Sequence, residues 1–93
     1  MSRYARRKDN NQNEIVEAIR WNGYTVLDLS GAGNGIPDLL ISNKSQMWLA
    51  EIKNKYGKLT PVQQKFHLNW AGKPIITAYS YEELIAQIKT PQG

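Results

Sequence analysis

The sequence predicts an α/β fold in which a mixed β-sheet is flanked by helices, with element order αβββαβα. Three observations predict it. Short runs of strand-favouring residues alternate with stretches of helical apolar spacing. Polar or glycine-rich turns join the first three runs as an antiparallel meander. The fourth run follows a helix, so it must arrive by a crossover and pair in parallel.

Taken in order, Ile15, Ala18 and Ile19 recur at helical spacing between Asn13 and Trp21, and Gly23 stands where a left-handed C-cap would end that helix. Tyr24 to Leu29 is a short strand-favouring run closed by Ser30-Gly-Ala-Gly-Asn-Gly35. Pro37 cannot donate to a sheet ladder and suits a strand start, which puts the second strand at Asp38 to Ile41. Asn43 to Gln46 is the turn, and Met47 to Lys53 is the third strand. Thr60, Pro61 and Gln63 read as N-cap, N1 proline and capping-box glutamine of a helix that stops at Gly72. Pro74 to Tyr79 is a compact apolar strand, and Ser80 with Glu83 is a second capping box opening the last helix.

The chain of 93 residues is expected to form one domain, residues 10–93, behind an arm of residues 1–9 that carries Arg3, Arg6, Arg7 and Lys8. A composition of 41% hydrophobic and 22% charged residues excludes disordered and fibrous classes. A formal net charge of +4 suits a polyanionic partner. The absence of cysteine excludes disulfides and thiolate metal sites. The basic N-terminus runs into Asn10-Asn11-Gln12-Asn13, not into the apolar stretch of a secretion signal. No apolar run approaches the roughly 20 residues needed to span a bilayer, so a soluble, cytoplasmic protein without a membrane partner is expected. A chain this small offers little room for a cleft around duplex DNA, and a homodimer is expected on that ground.

Successive side chains of a strand alternate, so Trp48, Ala50 and Ile52 share one face of the third strand while Leu49, Glu51 and Lys53 share the other. Asp38 and Glu51, on neighbouring strands, form a pair of oxygen donors for a hard divalent cation, and the backbone carbonyl of Ile52 could add a third. Phosphodiester hydrolysis needs such a cation because the phosphate's charge repels nucleophiles. Lys53 emerges beside Glu51, where its ammonium can orient water and offset developing charge. Glu14 and Glu17, three residues apart on one helix face, are candidates for a further contact to the cation or its water, with Glu14 the first choice. Lys55 and Lys58 follow the third strand and, like Arg3, Arg6, Arg7 and Lys8, are candidate phosphate contacts.

Gly35-Ile-Pro-Asp38 followed by Glu51-Ile-Lys53, with an upstream helical glutamate, resembles the PD-(D/E)XK nuclease superfamily. Leu59-Thr-Pro-Val-Gln63 is similar to the corresponding segment of its virus-type replication and repair branch, the VRR-NUC domain, and the resemblance spans roughly residues 10 to 90. It implies a restriction-endonuclease-like fold, Asp38 and Glu51 as metal ligands, Lys53 as catalytic lysine and Gln63 as an additional active-site residue, with Glu14 at the helical acidic position. It further implies a Mg²⁺- or Mn²⁺-dependent endodeoxyribonuclease acting on DNA. Stand-alone phage members of the branch look like dimeric Holliday-junction resolvases, so a branched substrate, a homodimer and a phage or bacterial host are expected here. The alternatives are a flap or other DNA nuclease of the same chemistry, or a non-catalytic DNA-binding module.

Each residue also has a plainer reading. An Asp after Pro is commonly a turn residue, Glu-x-Lys a solvated face, and Gln63 simply a cap. The solitary His67 lies mid-helix beside Phe66 and reads as a packed or surface histidine. Trp21, Trp48 and Trp70 read as packing or subunit contacts, and no interleaved aromatic and basic stripe suggests a base-stacking platform.

Overall fold

A computed structural model describes residues 10–89; the basic arm at 1–9, with Arg3, Arg6, Arg7 and Lys8, lies outside the described residues. The elements are α1 (Asn10–Trp21), β1 (Thr25–Asp28), β2 (Leu39–Ser42), β3 (Met47–Ile52), α2 (Pro61–Asn69), β4 (Ile76–Ala78) and α3 (Tyr81–Lys89), the expected αβββαβα order. The sheet runs β1-β2-β3-β4. Its first three strands pair antiparallel and β4 joins β3 in parallel, as the helical crossover requires.

Helix α1 ends where the chain turns left-handed at Gly23, whose φ is +92°. The Tyr24 amide donates to the Ile19 carbonyl and the Gly23 amide to the Arg20 carbonyl, the paired bonds of a Schellman stop. The chain thereby reverses into β1. Ile15 and Ile19 of α1, with Leu84 and Ile88 of α3, pack over Val26, Leu39, Ile41, Trp48, Ala50, Ile52, Ile76 and Ala78 of the sheet. One sheet face thus holds the core, and truncating a fully buried residue such as Ile19 or Leu84 to Ala would cost about 2–5 kcal/mol.

Helix α2 is different, because none of its residues is buried. It lies outside the core of α1, α3 and sheet, and its first turn meets the sheet at the ends of β2 and β3. It stops at Asn69 instead of Gly72: Trp70 leaves helical geometry at φ −74°, ψ 124° and its ring stacks on Phe66 at 5.7 Å. A Cβ on Gly72 would lie 2.8 Å from the Trp70 indole nitrogen, so this glycine makes room for a ring and does not cap a helix. Among the described residues no helix is long and apolar enough to cross a membrane.

Candidate active site

Strand β2 begins at Leu39, one residue later than the sequence suggested, so Asp38 stands at the mouth of the strand. Leu39 pairs with Ala50, and one further step of that register sets Asp38 opposite Glu51. Asp38 Oδ2 accepts from the Ile52 amide at 3.0 Å, so its carboxylate ties the end of β2 to β3. Lys53 lies just past β3, and its amide donates to the Ala78 carbonyl, holding the backbone of this corner in the sheet.

Glu51 is 1% exposed. Its Oε2 accepts from Gln63 Nε2 at 3.1 Å, while its Oε1 is buried and meets no hydrogen-bond donor. The group facing it is the Asp38 carboxyl, another acceptor, so the two can bond only while a proton stays between them. Burial, then the bond to and charge of Asp38, push the Glu51 pKa up to about 8 from an ordinary 4.5, with Lys53 pulling it back down.

Gln63 joins the parts of the site. Its Oε1 accepts from Lys53 Nζ at 2.9 Å and from the Thr60 amide at 2.8 Å, and its Nε2 donates to Glu51. This network also orients the amide, since a flip would set NH₂ against two donors. The Thr60 hydroxyl in turn accepts from the Gln63 amide at 3.2 Å, completing the capping box. The cap and the site are therefore one structure.

The approach of α2 depends on Gly35. At φ +77° it is left-handed, and a Cβ there would lie 2.5 Å from the Val62 carbonyl oxygen. Only hydrogen fits, so the loop before Pro37 and Asp38 lies directly on the first turn of α2.

Asp38, Glu51, Lys53 and Gln63 are thus brought together, with the Ile52 carbonyl on the same strand end. Lys55 and Lys58 are exposed in the loop beyond β3. Glu14 is not gathered with them. At about 100° per residue it sits opposite the arc of Gln12, Ile15, Val16 and Ile19 that faces inward, and Glu17, also exposed, pairs with Arg20 at 3.7 Å. Among the described residues no three acidic, His or Cys side chains form a metal-ligating group. Glu14, expected as a further contact to the cation or its water, is exposed on the outer face of α1. The inward polar residue of α1 is Gln12, 7% exposed, which the phase of the apolar residues could have revealed.

His67, expected to be a packed or surface histidine, lies one turn after Gln63 and is half-buried. Burial and then the nearby Lys53 charge lower its pKa, favouring neutral imidazole, and its Nε2 is buried without a partner. It is a neighbour of the lysine, not a member of the bonded network.

Two facing carboxylates, one with a buried oxygen lacking a donor, suit a hard divalent cation, which needs only one or two carboxylates with carbonyl and water oxygens completing its shell. The chain matches a solved structure described as a VRR_NUC domain, with a TM-score of 0.67 and 24% identity over 87% of this chain and 92% of that chain. The chain has the VRR_NUC fold. No family model matches the sequence, and no curated protein matches it. Within the VRR_NUC fold as built here, the mixed sheet flanked by helices carries the carboxylate pair where β2 begins and β3 ends.

Proposed function

We propose that the chain is a metal-dependent DNA endonuclease of the VRR-NUC branch of the PD-(D/E)XK nucleases, hydrolysing phosphodiester bonds with Mg²⁺ or Mn²⁺. One observation carries this reading: Asp38 and Glu51 face each other across β2 and β3, Glu51 Oε1 has no donor, and Lys53 is tied to Glu51 through Gln63. The likeness in fold supports it.

Asp38, Glu51 and the Ile52 carbonyl are the groups to hold the cation. The chemistry it supplies when bound is polarisation of a phosphate oxygen and a hydroxide nucleophile near neutral pH. Lys53 brings a positive charge to the phosphate or orients the attacking water, and Gln63 fixes the ammonium relative to Glu51. Lys55 and Lys58, with the arm residues Arg3, Arg6, Arg7 and Lys8, supply screened, sequence-independent attraction to the DNA backbone. Glu51 must give up its proton before a cation takes its place.

The same reading includes selectivity for branched DNA of the Holliday-junction type and action as a homodimer, so that paired sites cut paired strands. Support for the dimer comes from the sheet face opposite the core. Register aligns Leu27, Leu40 and Leu49 side by side across β1, β2 and β3, and Leu27 is 52% exposed and Met47 57% exposed. An apolar surface of this kind marks an association site. Light scattering on wild type and Leu27→Glu should give a dimer and a monomer; a monomeric wild type sinks this part.

The test of function is cleavage of labelled linear, flap and four-way substrates of matched sequence with Mn²⁺. Preferential cutting of the four-way junction, abolished by Asp38→Ala, is the expected result. No metal-stimulated cleavage of any substrate overturns the reading.

A further inference from the structure

We propose that Tyr56 is a base-stacking residue that recognises an unpaired nucleotide beside the cleaved phosphate. The proposal rests on the DNA-binding part of the preceding reading and gives its selectivity a physical cause.

Tyr56 is 83% exposed, although the loop around it is otherwise polar. A lone exposed tyrosine means little by itself. This one is held in a defined turn, where the Gly57 amide donates to the Asn54 carbonyl at 2.8 Å and the Tyr79 hydroxyl donates to the Gly57 carbonyl at 3.1 Å. The turn folds back on the catalytic corner, since the Cβ position of Gly57 is 3.4 Å from Lys53 Cβ. Its far end is tied to the same corner by the Thr60 amide on Gln63 Oε1. The ring is therefore displayed from a support shared with Lys53 and Gln63.

The charges around it suit a nucleotide. Lys55 Nζ lies over the ring at 5.3 Å from its centroid, Lys58 is exposed two residues on, and Lys53 is three residues back. Three residues place the Tyr56 Cα within about 11 Å of Lys53, and a DNA strand advances about 3.4 Å per nucleotide. A phosphate at Lys53 thus leaves the ring within reach of the first few bases beside it. Bases in an intact duplex are already stacked on each other, whereas an unpaired base at a branch or strand end has a face to offer. Aromatic stacking and flanking cations are the recurring means of holding such a base without reading its identity.

The experiment measures binding of wild type, Tyr56→Ala and Tyr56→Trp to a fully paired duplex and to the same duplex carrying an unpaired stretch, without divalent cation. A 2-aminopurine in the stretch reports stacking, and cleavage is assayed in parallel with Mn²⁺. Loss of one stacked base predicts about 5- to 150-fold weaker binding of the unpaired substrate by Tyr56→Ala, with duplex affinity unchanged. Tyr56→Trp should retain both affinity and the 2-aminopurine signal. Equal affinity of wild type and Tyr56→Ala for the unpaired substrate overturns the proposal, as does an equal loss on both DNAs. Binding with the expected Tyr56 dependence but no cleavage leaves stacking supported and sinks the nuclease reading alone.

Discussion

Replacing Glu51 by Gln tests the electrostatics of the site without assuming any activity. In the metal-free protein the Glu51 pKa stands at about 8 against an ordinary 4.5. Below about pH 4.5 the folded and unfolded chains both hold the proton. Between 4.5 and 8 only the folded chain holds it, so folding is favoured by acid, and each unit of rising pH removes about 1.4 kcal/mol of stability. Above 8 both forms are ionised and the slope vanishes. From pH 6 to 8, where the folded group is half-titrated, the loss is about 2 kcal/mol, which for a domain of this size lowers the melting temperature by roughly 8–18 °C. Gln has the shape of protonated Glu: its carbonyl can accept from Gln63 and its amide can donate to Asp38. Glu51→Gln should therefore melt at nearly the same temperature at pH 6 and pH 8, above wild type at pH 8. Thermal melts in chelator across this range are the assay. A flat wild-type profile, or a wild-type slope retained in Glu51→Gln, refutes the reasoning.

The other predictions concern the seat of α2 and the cation. Gly35→Ala should destabilise the fold by more than the about 1–2 kcal/mol of left-handed backbone strain, because its Cβ also meets the Val62 carbonyl; cleavage should fall with it, and a wild-type melt and rate would contradict this. Gln63→Ala should cost about 1–3 kcal/mol by leaving Lys53 Nζ and Glu51 Oε2 without their shared partner, and a double-mutant cycle with Lys53→Ala should couple, whereas strict additivity would show the bridge to be inert. Because a cation must displace the Glu51 proton, a fixed Mg²⁺ concentration should raise the melting temperature more at pH 8 than at pH 6; equal increments, or an increment retained in Asp38→Ala, would oppose this.

Much of the fold was legible because local chemistry and tertiary packing agree. Thr60, Pro61 and Gln63 form the capping box their order suggests, and Gly23 takes the left-handed stop. The facing of Asp38 and Glu51 follows from period-2 alternation together with the antiparallel pairing. Glu51 was harder to read: an acid two residues before a lysine on a strand resembles a solvated face, and its burial comes from α2, a non-local neighbour set down by Gly35. Gln63 shows the same limit, since the cap was visible in sequence but its bonds to Lys53 and Glu51 depend on where the helix lands. For Glu14 the direction was legible as well, since the phase of Ile15, Val16 and Ile19 turns it outward. Tyr56 carries no comparable signal in the sequence, since a single ring in a polar loop has no period.

The site is assembled from stabilising and destabilising parts that cannot be separated. Capping, strand pairing and the Gly35 contact each have a local structural justification, yet together they press a second carboxyl against Asp38 and remove water from it. Such a pair is unfavourable when both groups are ionised, because Coulomb repulsion grows as water is removed. It is relieved only by positive charge between them, whether a proton or a cation. Lys53 supplies only part of it: its charge pulls the Glu51 pKa down, while burial and Asp38 keep it raised. The fold thus sets two carboxyls where positive charge is favoured, and the loop carrying Lys55, Tyr56 and Lys58 follows directly from the end of β3. A carboxylate pair on a mobile loop would relax apart, whereas here β2, β3 and the first turn of α2 hold the groups in place.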